Sequence, residues 1–158
     1  PHAATQRKGT DVAIRYAMQV EDGTLVVRAS GFDESLAEVE QYGAAVIAAS
    51  GGAAIMCADR AEQNGVPMPQ PAPEVKAILE SRIPEFGSSR NPCDVTAAVL
   101  GDPESLQDCA NALLGDPQYG VLVSPMTYGS AASAKRPLVY NDLAIKYGKM
   151  ACAVWQTE

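Results

Sequence analysis

Apolar and polar positions along this chain repeat with two different periods, and their order predicts the elements. Over 11–20 the apolar positions recur at helical spacing behind Thr10, a good capping residue, which predicts a helix. A β-branched run, Leu25-Val26-Val27, predicts a short strand, and the acidic stretch 33–42 predicts a second helix with a solvated charged face. The run Ala44-Ala45-Val46-Ile47-Ala48-Ala49 is wholly apolar and of strand length, the pattern of a strand buried on both faces. It ends at Ser50-Gly51-Gly52, after which 53–64 has helical composition and stops at Gly65. Four prolines within 66–73 predict an extended connector, followed by a helix over 74–81 and a loop through Gly87-Ser88-Ser89-Arg90-Asn91-Pro92. Cys93-Asp94-Val95 then predicts a brief strand. Pro103 suits the first turn of a helix running to Leu114, which gives way to the turn Gly115-Asp116-Pro117. Gly120-Val121-Leu122-Val123 predicts another buried strand, closed by Ser124-Pro125. Beyond the loop 126–130, a helix begins at Ala131 or Pro137 and reaches Tyr147, and the last strand covers 150–155.

Strands that alternate with helices over short loops imply a parallel sheet covered on both faces and joined by right-handed crossovers. The expected fold class is therefore α/β, a flavodoxin-like or Rossmann-like three-layer sandwich with a mainly parallel sheet. A length of 158 residues suits one compact domain. Residues 1–43 would supply entry helices and a short strand, and 44–158 the main domain. The chain does not open with methionine, and no covering helix follows its last strand, so a piece of a larger protein is expected.

Composition narrows the partners. Twelve basic against 19 acidic residues leave a net charge of −7, and no polybasic run exists to hold a nucleic-acid backbone or an anionic membrane. An anionic ligand would have to be held by local devices such as helix N-termini. No stretch approaches a membrane span and the N-terminus lacks a signal-peptide pattern, so a cytoplasmic location is expected. Cys57, Cys93, Cys109 and Cys152 form no C-x-x-C pair and share the chain with a single histidine, which argues for core thiols and against a metal site.

In sheets of this class ligands bind beyond the carboxyl ends of the strands, so the loops after Ala49, Val95 and Val123 are the candidates. At Ser50-Gly51-Gly52-Ala53 the lack of side chains lets an anion approach the first amides of a helix, where the aligned dipole favours negative charge. The same two glycines equally suit a tight turn and close packing of helix on sheet. They match neither the dinucleotide fingerprint nor the lysine-bearing phosphate loop. Asp94 either caps its loop or orients a reacting group. Tyr128, Gly129 and Ser130 offer hydroxyls and backbone amides before a helix. His2 has the imidazole that phosphoryl transfer needs, and it also fits an incidental terminal residue.

The order of these motifs resembles a known family. Ser50-Gly51-Gly52-Ala53-Ala54-Ile55-Met56-Cys57-Ala58-Asp59 opens a helix ending Asn64-Gly65-Val66, then come Pro69 and Arg90-Asn91-Pro92-Cys93-Asp94-Val95-Thr96. This succession resembles the ligase domain of nucleoside-diphosphate-forming acyl-CoA synthetases. The stretch 112–123 and the closing run 150–155 resemble the same family, including the carboxyl-terminal domain of the succinyl-CoA synthetase β subunit. The resemblance spans about 44–155 and is looser before it. It implies an acid–thiol ligase that forms an acyl-CoA thioester from a carboxylic acid, ATP with magnesium, and coenzyme A through a phosphohistidine.

In the resemblance, Ser50, Gly51, Gly52 and Ala53 hold the phosphoryl group, while Asp94, Tyr128, Gly129 and Ser130 lie near the substrate. The histidine of related synthetases sits in a Ser-His-Thr-Gly-like segment before the entry helix, and Pro1-His2-Ala3-Ala4-Thr5 stands in that place with different neighbours. No ATP-grasp or CoA-binding unit fits in this length. The resemblance thus implies an oligomeric enzyme whose other domains or subunits carry those parts, and an isolated domain without turnover. Two alternatives share the fold: a non-catalytic interaction module, and a flavin-binding or phosphoreceiver domain. The latter is disfavoured, since the loop after Ala49 lacks the hydroxyls of a flavin-phosphate site and the first strand ends without an acidic cluster.

Overall fold

The structure, a computed structural model, describes residues 15–21, 24–30, 42–127 and 135–155. The chain divides into two units, Pro1–Gln41 and Tyr42–Glu158. In the first, β1 (Arg15–Glu21) pairs antiparallel with β2 (Thr24–Ser30), with Arg15 opposite Ser30 and Glu21 opposite Thr24. A strand thus replaces the helix expected over 11–20. The apolar residues Tyr16, Met18 and Val20 also fit a period of two, and the register sets Met18 against Val27 and Val20 against Leu25. Pairing with a neighbouring strand decided between the two periods. The dipeptide between the strands in sequence, Asp22-Gly23, is the type that tight hairpins favour. The helix expected over 33–42 falls, apart from Tyr42, outside the described residues.

The second unit holds β3 (Gly43–Ala48), α1 (Gly51–Gln63), α2 (Pro73–Arg82), β4 (Cys93–Asp94), a 3-10 turn (Ala97–Gly101), α3 (Pro103–Gly115), β5 (Tyr119–Met126), α4 (Arg136–Tyr147) and β6 (Met150–Trp155). The strands form a four-stranded sheet in the order β4-β3-β5-β6, every pair parallel. This is the α/β, flavodoxin-like sandwich expected from the sequence. Alternate residues of β3 serve its two faces. Ala45 and Ile47 join Leu122 in the main core with Leu79 of α2, Leu113 of α3 and Tyr140 of α4. Ala44, Val46 and Ala48, equally buried, lie on the opposite face, against which α1 packs with Ala53 and Ala54. The alanines on both sides of that contact let the helix lie close to the sheet.

The helix ends are written in the sequence. Pro73 and Pro103 occupy first turns, where a missing N–H costs nothing. Asp102 caps α3 by accepting from the Ser105 amide at 3.1 Å. At the end of α4, Gly148 adopts φ 64°, and the Lys149 amide bonds back to the Ala144 carbonyl at 2.9 Å. The 3-10 turn is an element that no periodicity announced.

A polar network closes the amino-terminal side of the sheet. The Asn91 side chain accepts from the Val46 amide at 2.9 Å and donates to the Ala44 and Pro69 carbonyls at 2.8 and 3.0 Å. It continues the ladder of β3 where β4 is too short to do so. Asp116 is buried and accepts from the Ala72 and Gln118 amides at 2.9 and 3.0 Å, tying the start of α2 to the turn before β5. The Lys149 ammonium donates to the Asp116 carbonyl. Tyr119 donates its hydroxyl to the Pro69 carbonyl at 2.9 Å.

Candidate functional site

Strand order places the site. From β3 the chain steps to β4 on one side, then crosses back over β3 to β5 on the other, so the carboxyl ends of β3 and β5 form the topological switch point. β3 runs directly into α1 through Ala49 and Ser50. Ser50 is extended, with φ −145° and ψ 119°, and makes no side-chain cap bond, and no acidic residue stands in the first turn. The first intrahelical bond is Ala54 to the Ser50 carbonyl at 3.0 Å. The amides of Gly51, Gly52 and Ala53 therefore have no partner within the helix. Among the described residues a side chain at Gly52 would meet only the Ser50 hydroxyl, at 3.9 Å, so the start of α1 is open at Gly52.

Asp94 borders that opening. Its backbone is gripped on two sides, in register with Ala48 of β3 and by reciprocal bonds with Ser88 at 2.9 and 3.0 Å. Only glycine fits beside this bridge: a Cβ at Gly87 would lie 2.6 Å from the Asp94 carbonyl oxygen. Asp94 Oδ1 accepts from the Thr96 amide at 2.9 Å. Oδ2 accepts no hydrogen bond from the described residues and lies 2.9 Å from where a Cβ of Gly51 would stand. Thr96 is buried at φ 60°, a costly backbone for a β-branched residue. Its hydroxyl accepts from the Ala98 amide at 3.2 Å, starting the 3-10 turn. Asp94 thus both orients its loop and leaves one carboxylate oxygen facing the start of α1.

At the end of β5, Ser124 is buried and hydrogen-bonded to the Tyr140 hydroxyl, which burial pushes to a higher pKa. The structure therefore brings Ser50, Gly51, Gly52, Ala53 and Asp94 to one end of the sheet. His2, Tyr128, Gly129 and Ser130 lie outside the described residues. Sequence reasoning placed Asn91 and Thr96 in the motif 90–96 without foreseeing the role of either. An Asn-Pro step signalled a turn at the former, and nothing in the sequence marks the backbone of the latter.

The cysteines are not candidates for nucleophilic chemistry. All four are free, and burial raises each thiol, Cys109 up to about 11. Among the described residues no group of three or more His, Cys, Asp or Glu could hold a metal ion. Nor is any described helix long and apolar enough to cross a membrane.

Fold and site together define a flavodoxin-like α/β domain with an open helix N-terminus at its switch point. The Ligase-CoA domain matches residues 44–153, and the chain belongs to that family. The resemblance drawn from the ordered motifs beginning at Ala44 is thereby borne out. PH0766 from Pyrococcus horikoshii OT3 is similar in fold, with a TM-score of 0.64 and 19% identity over 75% of this chain and 28% of that one. The dinucleotide-forming acetyl-coenzyme A synthetase 1 of Ca. Korarchaeum cryptofilum has a TM-score of 0.56 and 20% identity over 72% of this chain and 24% of its own. The same values hold for its complex with phosphate and ADP. The chain thus spans about a quarter of the length of these structures. No curated protein matches it.

Proposed function

We propose that this chain is the ligase domain of a nucleoside-diphosphate-forming acyl-CoA synthetase, and that the start of α1 holds the phosphoryl group while it is transferred. The observation that carries this reading is the uncapped Ser50-Gly51-Gly52-Ala53 terminus at the switch point, in a chain that belongs to the Ligase-CoA family. Three amides without helical partners, backed by the dipole of a 13-residue helix, stabilise negative charge without drawing on the acidic protein as a whole. A fixed donor set of this kind needs no reorganisation as charge moves between oxygens.

Within the whole enzyme, a carboxylic acid, ATP with magnesium, and coenzyme A are converted to an acyl-CoA thioester. Other domains or subunits of the assembly supply the ATP-grasp and CoA-binding parts. This chain contributes the phosphoryl cradle, with Asp94 at its edge and Tyr128, Gly129 and Ser130 on the substrate side. His2 is the candidate for the phosphohistidine, and an oligomeric enzyme in the cytoplasm is the setting.

Amide spectra of the isotope-labelled chain titrated with millimolar sodium phosphate test the cradle. Shifts centred on residues 51–54, abolished by Gly52→Asp, are expected. Absence of any shift there would remove the reading and favour an inert module of the same fold. The isolated chain is expected to release no ADP when given acid, ATP and CoA, and acid-dependent release would overturn that division of labour. Phosphorus spectra of the assembled enzyme should lose their phosphoramidate signal in His2→Ala, and a persistent signal would exclude His2.

A further inference from the structure

The far end of α1 closes on the one Asn-Gly pair in the chain, Asn64-Gly65. Asparagine followed by glycine is prone to ring closure. Once it has given up its proton, the Gly65 nitrogen attacks the side-chain carbonyl carbon of Asn64, and a residue with no Cβ offers that approach no hindrance. The new N–C bond closes a succinimide, the bond from the same carbon to Nδ2 breaks, and the side-chain nitrogen leaves as ammonia, taking up a proton in place of the one Gly65 lost. Water then opens the ring at either carbonyl, to aspartate or isoaspartate.

Both residues are exposed, so water and base reach them. The fold nevertheless holds each reacting group. Asn64 Nδ2 donates to the Arg60 carbonyl at 2.7 Å, the Gly65 amide to the Glu62 carbonyl at 3.1 Å, and the Val66 amide to the Ala61 carbonyl at 2.9 Å. With Gly65 at φ 66°, the two backbone bonds form a Schellman cap. The nitrogen that must attack is committed to a helix carbonyl, and the side chain that must be attacked is tied back to the preceding turn. Ring closure therefore needs the last turn of α1 to open.

We propose that Asn64 is a covalent modification site gated by the cap of α1, latent while the cap is closed and deamidated when the turn opens. The product works against the helix that releases it. A carboxylate at this position replaces the donor to the Arg60 carbonyl by an acceptor and sets a negative charge at the negative end of the helix dipole. Isoaspartate also lengthens the backbone and misaligns the Schellman bonds. Either product leaves the last turn of α1 easier to unwind.

Peptide mass mapping of the full 158-residue chain, incubated at mildly alkaline pH with and without urea, tests this. In urea Asn64 is expected to convert ahead of Asn91, Asn111 and Asn141, which precede Pro92, Ala112 and Asp142. In the folded chain its conversion should be about tenfold slower, the factor that a local opening of modest cost imposes. Hydrogen exchange of the Gly65 amide should show protection of similar size, because one opening frees this nitrogen for both reactions. Equal rates at Asn64 with and without urea would overturn the proposal, as would no conversion in urea or a slow site whose Gly65 amide exchanges freely. In Asn64→Asp the Gly65 and Val66 amides should exchange about threefold faster than in the native chain. Unchanged exchange there would overturn the effect assigned to the product.

Discussion

The two ends of the parallel sheet treat their polar groups in opposite ways. On the amino-terminal side, Asn91 uses its amide on Val46, Ala44 and Pro69, and Asp116 gathers the amides of Ala72 and Gln118. No buried side-chain polar atom among the described residues lacks a partner. At the carboxyl end, the first amides of α1 go without a side-chain cap, Asp94 keeps one oxygen that accepts no hydrogen bond from the described residues, and Thr96 holds a strained backbone. The first arrangement is what stability requires, because an unpaired buried polar group costs more than its bond returns. The second leaves donors and an acceptor facing outward, and such groups gain most from a ligand. Polar residues of the same kinds therefore serve structure at one end and, in the function proposed above, recognition at the other.

The contrast can be broken most forcefully at Asn91. Asn91→Ala strands the Val46 amide and the Ala44 carbonyl, and should lower the unfolding free energy by about 4 kcal/mol in a urea melt. A loss below about 1 kcal/mol would mean that water replaces the side chain and that this end is less closed than described. Asp116→Ala should cost about 3 kcal/mol by orphaning two amides, while leaving phosphate shifts at residues 51–54 unchanged. A change in those shifts would show the two ends to be coupled.

Alkaline pH probes the interior that joins the ends. Burial raises Cys109 from its ordinary 9.0 to about 11, so the folded chain keeps a proton that the unfolded chain gives up. Stability is full below about pH 9 and falls as pH rises towards 11, by on the order of 2 kcal/mol from this thiol. Cys93, Tyr119 and Tyr140 act with the same sign. A flat melting temperature from pH 8 to 11 would contradict that burial, and Cys109→Ala should flatten part of the slope.

The smallest effect on stability belongs to the carboxyl end. Gly52→Ala fits open space and should stabilise α1 by about 0.5 kcal/mol without loss of phosphate binding. Gly51→Ala puts a methyl 2.9 Å from Asp94 Oδ2 and should weaken binding more than it changes stability. If both glycine variants bind phosphate like the native chain, the pair serves packing only.

Much of the main unit was legible because its signals are local. Six apolar residues in a row mark β3, Gly65 marks the end of α1, and Pro103 marks the first turn of α3. The glycine turn after β3 was legible for the same reason, since side chains that would block the amides of α1 are missing from the sequence itself. The β1 and β2 hairpin was not read, because 15–21 carries both a helical and a strand period and only the partner strand breaks the tie. Asn91 and Thr96 escaped because their roles are made by residues far away or by a backbone angle.

The sequence by itself thus determined the alternation of strands and helices, the side-chain-free start of α1, and the ordered motifs of the Ligase-CoA family. These follow from periodicity and residue type along a few consecutive positions. Tertiary structure alone decided that Asp94 comes to rest beside Gly51, with one oxygen committed to Thr96 and the other next to the glycine. Residues 43 positions apart meet there because parallel strands β3 and β4 lie in register, Ala48 beside Asp94, and a register between distant segments is fixed by the packing of the whole sheet.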